Sequence, residues 1–133
     1  MKGIKVNTLD TKKDERGWLA EIVRKEELIR EKEFGQFMVT TAYPGFVKGN
    51  HYHKRKFEWY CVLKGEARLV LVDMHSGERE ELRLSEQHLK TVRIPPHVSH
   101  AIENTGSEMM YLLIYIDEPY NEKDSDTFYE KIL

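Results

Sequence analysis

A single cysteine, Cys61, stands among 133 residues, which excludes an internal disulfide framework and a thiolate-rich zinc site. No apolar run approaches the roughly 18 residues that a membrane span needs, and the first residues lack the apolar core of a signal peptide. The expectation is therefore a cytoplasmic protein without a membrane partner. An excess of charge of one sign is missing too. The 21 basic and 23 acidic residues leave a net charge of −2, which removes the electrostatic case for a nucleic-acid partner. There is no internal repeat and no low-complexity segment. Helical patterning is nearly absent: residues 24–33 have helical propensity but only a thin apolar side, and read as a charged helix or loop insertion outside the core. The length predicts one domain over residues 1–133.

What is present is a succession of short β-type segments. Residues 4–6 alternate as an edge strand would. Arg16 and Gly17 read as a turn, and residues 18–23 as a strand. Residues 34–43 are rich in aromatic and β-branched types and end at Pro44-Gly45. Residues 57–63 are apolar on both faces apart from Glu58, which suits a strand between a barrel interior and another sheet or subunit and favours a homodimer. Further strands follow at 67–74, 79–84, 89–94, 100–103 and 109–116, separated by turns at 75–78, Pro95-Pro96 and 105–107. Roughly eight to ten short strands with little helix predict an all-β sandwich or small barrel. Residues 118–133 read as a tail that returns its aromatics to the body.

The chemistry concentrates in two stretches. In the first, His51 and His53 leave the same face of a strand because strand side chains alternate. A turn at Lys54, Arg55 and Lys56 would bring in Glu58 from the next strand, and His100 would arrive from the second stretch, around Pro95 and Pro96. Three imidazoles and one carboxylate around one point suit a divalent metal ion, one per chain: zinc, manganese, iron or nickel. The spacing, Gly45, His51, His53, Glu58 and Gly65 followed by Pro95, His100 and Asn104, resembles the two signature motifs of the cupin superfamily. That resemblance implies a jelly-roll barrel (double-stranded β-helix), usually dimeric. One departure is His97, which stands where the second motif usually has glycine.

Two families within the superfamily are closer. Lys48-Gly49-Asn50-His51-Tyr52-His53, the stretch from Ile94 to Asn104, and the ending from Tyr120 to Tyr129 resemble the C-terminal cupin domain of bifunctional capsular-polysaccharide enzymes. That domain is a zinc-binding epimerase domain acting on a UDP-linked 6-deoxy-4-keto amino sugar, which puts zinc first among the metals. Asp14-Glu15-Arg16-Gly17-Trp18-Leu19-Ala20-Glu21 with the Lys48 to Tyr52 stretch is similar to the dTDP-4-dehydrorhamnose 3,5-epimerases. There the residue matching His51 is the catalytic base, and the one matching Arg16 contacts nucleotide phosphates. Those enzymes are metal-independent. Where they carry a lysine and a glutamine this chain places Glu58 and His53, and both changes favour a cation.

The resemblance implies an epimerase or keto-isomerase of a nucleotide-linked 4-keto-6-deoxy sugar, in surface polysaccharide biosynthesis. A proton next to a ketone is acidic because the carbanion is an enolate with its charge on oxygen. The enzyme needs a base, a stabiliser of the oxyanion and an acid. A metal held by His51, His53, Glu58 and His100 could polarise the keto oxygen. If all four are ligands, His97 or a metal-bound hydroxide is left as the base; His97 as an exposed turn residue is the plainer alternative. Tyr60, Tyr111 and Tyr115 are candidate acids, with Tyr60 preferred because it shares the strand parity of Glu58. Arg16 and Lys48 are candidate substrate contacts, with a surface salt bridge as the rival role for Arg16. Lys54, Arg55 and Lys56 read as an ordinary charged hairpin tip, and His75 and His88 as solvated. Two other functions stay open. Another metal-dependent cupin enzyme, such as a dioxygenase or sugar-phosphate isomerase, would leave the Arg16 motif unexplained, and a dioxygenase would consume oxygen. A non-catalytic sugar-binding cupin module would exchange no substrate proton with solvent.

Overall fold

A computed structural model describes all residues, 1–133. Two five-stranded antiparallel sheets face each other. The first runs in the order β1 (Lys5–Thr8), β9 (Lys90–Ile94), β6 (Glu58–Lys64), β11 (Met110–Ile116), β4 (Gln36–Ala42). The second runs β12 (Phe128–Tyr129), β5 (Val47–Tyr52), β10 (Val98–Asn104), β7 (Glu66–Asp73), β8 (Arg79–Ser85). The result is the expected all-β jelly roll. Its core is built from inward residues of both sheets, among them Tyr60, Val62, Leu69, Leu71, Val92, Ile102 and Leu112. Alternation along each strand puts these on one face, and their burial drives the closure of the two sheets.

Residues 18–23 do not form the expected strand. Only β3 (Gly17–Leu19) is extended, paired with β2 (Lys12–Asp14) in a separate, fully exposed hairpin. Beyond it the chain leaves the hairpin and crosses the outside of the first sheet. The Ile22 carbonyl accepts a hydrogen bond from the Thr91 hydroxyl at 2.7 Å, and the Tyr115 hydroxyl accepts one from the Gly35 amide at 2.9 Å. A backbone that spends its polar groups on another strand's side chains cannot also form a ladder. The 24–33 segment holds only a three-residue 3-10 turn, Lys25–Glu27. Its apolar side, Leu28 and Ile29, is half-buried.

This crossing segment explains the apolar outer face of β6. Trp59 and Cys61 are buried, with Leu28 and Trp59 lining one cavity and Phe34 packing on Tyr115, itself beside Trp59. The strand's second apolar face is therefore covered within the chain, not reserved for a second subunit. No helix is long and apolar enough to cross a membrane.

Candidate metal centre

The site lies where the two sheets approach each other. β5 carries His51, and His53 follows just beyond its end; β10 carries His100 directly opposite His51 in register. Glu58 opens β6 in the facing sheet. Local backbone chemistry makes the approach possible. The pairing of β5 and β10 shifts between His100 and Ala101, and Gly49 faces this irregularity with φ of +99°. A Cβ on Gly49 would lie 2.7 Å from the His100 carbonyl oxygen, so only glycine fits without displacing the strand that carries His100.

The ligand atoms of His51, His53, Glu58 and His100 all lie within 4.8 Å of one another. His53, Glu58 and His100 are buried and His51 is half-buried. Hydrogen bonds assign two of the ring tautomers. His53 Nδ1 sits 2.6 Å from the Asp126 carbonyl, which can only accept, so Nδ1 carries a proton, and Nε2 meets Glu58 through a second proton or, in the neutral ring, presents a lone pair. His100 Nδ1 likewise donates to the Val98 carbonyl at 3.0 Å. Both Nε2 atoms then face one carboxylate oxygen, Glu58 Oε1, at 2.6 Å from His53 and 2.9 Å from His100. The His100 contact is close but out of line, and its Nε2 has no hydrogen-bond partner. Lone pairs converging on a carboxylate repel unless a cation or a proton lies among them. This donor set fits a divalent ion.

The electrostatics agree. Burial works against a charge on His53, but the Glu58 carboxylate outweighs it and raises the pKa. Burial likewise disfavours the Glu58 carboxylate, yet His100 and His53 hold it well below the usual range. His51 has no such partner at hydrogen-bonding distance. Burial, then the neighbouring His100, lowers it from 6.5 to about 4, so it stays neutral in the cell's pH range. Burial and the charge of Glu58 push the Tyr60 phenol well above 10. Burial also pushes the Cys61 thiol to about 11, which removes it as a nucleophile.

Two cavities flank the cluster. One, of about 560 Å³, is lined by Lys48, His51, Tyr60, Thr40 and Tyr129 among others. The other, of about 210 Å³, is lined by His51, His53, Glu58, Tyr60, Lys56 and Tyr120 among others. His51 and Tyr60 face both. Lys48 donates to Thr40 Oγ1 at 2.9 Å on the rim of the larger one. Arg16 lies elsewhere: its guanidinium is exposed and bound to Asp14 at 2.6 Å. The His97 ring lies outside both cavities, in a left-handed turn (φ +65°) and against His75 at 4.7 Å, although its amide donates to the His53 carbonyl at 2.7 Å. Tyr111 and Tyr115 point to the outside of the first sheet, Tyr111 partly exposed and Tyr115 among Phe34, Phe37 and Trp59.

Sequence reasoning missed Lys56, Tyr120 and Asp126. Lys56 is 3% exposed, has no carboxylate within ion-pair distance, and donates to the Ser125 carbonyl at 3.1 Å. Its signal was parity, since Lys56 lies two residues before Glu58 and shares its face. Tyr120 and Asp126 belong to the tail and carried no local signal.

Residues 12–128 match the model of the polysaccharide biosynthesis C-terminal domain family. The spore coat polysaccharide biosynthesis protein SpsL of Bacillus subtilis is 30% identical over 129 residues, covering 93% of this chain and 85% of that one. The capsular polysaccharide assembling protein CapF of Staphylococcus aureus is 29% identical with a TM-score of 0.73; 93% of this chain is covered but only 34% of CapF, so this chain spans about a third of that protein's length. The dTDP-6-deoxy-D-glucose-3,5-epimerase of Legionella pneumophila, solved with dTDP-4-keto-L-rhamnose, shares the fold with a TM-score of 0.82 at 21% identity, over 95% of this chain and 71% of that one. With a family model matched along most of its length, this chain belongs to the polysaccharide biosynthesis C-terminal domain family, on a cupin jelly roll.

Proposed function

We propose that this protein is an epimerase or keto-isomerase of a nucleotide-linked 4-keto-6-deoxy sugar, serving surface polysaccharide biosynthesis. In this reading a single divalent ion, zinc foremost, is held by His51, His53, Glu58 and His100. One observation carries it: three imidazoles and a carboxylate converge between two cavities that meet at His51 and Tyr60. Family membership and the keto-sugar bound to the Legionella epimerase support the substrate class.

The metal, when bound, supplies Lewis-acid polarisation of the substrate's keto oxygen. Hydroxide entering the smaller cavity from solvent takes the proton next to the ketone, and the chain's own residues stabilise the enolate and return a proton to it. Lys56, a buried ammonium without a counter-ion, adds positive charge beside the oxyanion as it develops. Tyr60, kept protonated by burial and by Glu58, donates a proton. Tyr120, exposed at the edge of the smaller cavity, exchanges that proton with solvent. Lys48 and Tyr129 line the larger cavity, where a cation and an aromatic face suit a nucleoside diphosphate. A homodimer belongs to the same reading, supported by Phe37 and Val39 exposed on edge strand β4.

A second reading makes His51 a free base without metal. It is favoured by the lack of any hydrogen bond that fixes the His51 ring. The two separate in one experiment. Elemental analysis of the purified protein is paired with solvent-deuterium incorporation into a nucleotide 4-keto-6-deoxy sugar, for the wild type and His51→Asn. Metal near one equivalent, lost in the variant together with exchange, supports the ligand role. Exchange by a wild type that holds no metal, lost in the variant, supports the base. Absence of exchange in the metal-loaded wild type over a panel of such sugars sinks the enzymatic reading.

A further inference from the structure

We infer that Asp126 is a positioning residue for the centre: its backbone carbonyl sets the tautomer and direction of the His53 ring, and its carboxylate clasps the turn behind that ring. Asp126 is buried, although it lies in the tail and 73 residues from His53. Its carbonyl meets His53 Nδ1 at 2.6 Å. One carboxylate oxygen accepts the Lys54 amide at 3.0 Å. The other accepts the Arg55 amide at 3.0 Å and the Lys56 amide at 3.2 Å. Three consecutive amides thus converge on one side chain, and the turn joining His53 to Glu58 is tied to the tail rather than free.

The backbone at Asp126 is left-handed, with φ of +49°, a conformation that aspartate tolerates better than most residues. That conformation lets one residue aim its carbonyl at the ring and its carboxylate at the amides. The neighbouring Ser125 carbonyl accepts from Lys56 Nζ at 3.1 Å, so the same clasp places the buried ammonium. Beyond Asp126 the tail is held independently. β12 pairs with β5, the Asn50 side chain accepts the amides of Ile132 and Leu133 at 2.8 and 3.1 Å, and Arg79 donates to the Ile132 carbonyl at 3.0 Å. A carbonyl fixed on one nitrogen of an imidazole leaves the other as a lone pair aimed at the ligand site, and loss of such support lowers metal affinity by about 10–100-fold.

The test uses the full chain and three variants. Asp126→Gly removes the carboxylate while permitting the left-handed backbone; Asp126→Asn keeps one acceptor oxygen; Arg79→Ala loosens the far end of the tail. Histidine-ring nitrogen NMR of the metal-free protein, at a pH where His53 is neutral, reads the tautomer. Zinc titration against a chelator reads affinity. The tautomer can be read with or without metal, whereas the affinity depends on the metal reading given above. The wild type is expected to show His53 protonated at Nδ1. Asp126→Gly should populate the Nε2-protonated ring and bind zinc about 10–100-fold more weakly, with Asp126→Asn between and Arg79→Ala like the wild type. Should Asp126→Gly fail to fold, the Asn variant decides by the same two readings. An unchanged tautomer in the Asp126 variants overturns the inference, as does zinc affinity equal to that of the wild type. A wild type that binds no zinc refutes the metal reading and leaves the tautomer shift to decide this one.

Discussion

At the scale of single residues, the cluster sets charges against one another in a small buried volume. His51 is the plainest case. Its pKa falls from 6.5 to about 4 on folding, so between those values the unfolded chain binds more protons than the folded one. Its contribution to metal-free stability is therefore full above pH about 6.5 and declines as the pH falls towards about 4. Urea unfolding of the metal-free protein across that window should show a steep acid loss, flattened in His51→Gln. Equal slopes would show that His51 does not carry it. Lys56 offers a contrast between stability and function. A buried ammonium with no carboxylate partner costs folding energy, so Lys56→Met should be as stable as the wild type or more so. The same substitution should slow deuterium exchange by about a hundredfold, comparable to losing one oxyanion donor. Lys56 escaped the sequence reading because a run of three basic residues resembles any solvated hairpin tip. Only the fold turns one of them inward.

At the scale of elements, β5 and the crossing segment decide the geometry. Gly49→Ala would place a methyl group 2.7 Å from the His100 carbonyl at a φ of +99°. The expected cost is about 1–3 kcal/mol in denaturant unfolding, with weaker metal binding because His51 and His100 no longer face each other in register. A variant of wild-type stability would show that the strand pair can relax freely. Across the sheet, Thr91→Val removes the hydroxyl that holds the Ile22 carbonyl and should cost about 1 kcal/mol, measured the same way. Strands β4 to β11 were legible because alternation and turn residues are local signals. Residues 18–23 read as a strand because an apolar run follows the Arg16-Gly17 turn, and misled, because such a run cannot tell a paired strand from a strap lying on a sheet. The 24–33 segment takes the loop alternative: Leu28 and Ile29 turn towards the sheet, and a single 3-10 turn suffices to place them.

At the scale of the whole molecule, metal and proton compete for one place. His53 is raised and Glu58 lowered in the metal-free cluster, which describes a proton held between them. Binding a divalent ion must expel it, so affinity should rise with pH through the titration of His53. Saturating zinc at about 100 times its dissociation constant should add about 2.7 kcal/mol, an increase in Tm of roughly 10 °C that chelation removes. Unchanged Tm on chelation would count against a bound ion. By itself the sequence determined the all-β class, most of the strands, and which four side chains could meet, since period-two alternation and turn spacing act over a few residues. It determined little beyond that range. That Arg16 stands in an exposed hairpin away from both cavities, that His97 pairs with His75, and that the outer face of β6 is covered by the chain itself were decided by tertiary packing. So was the clasp of Asp126 on the turn after His53. Contacts across many residues arise from closure of the two sheets, and no local pattern in the chain encodes them.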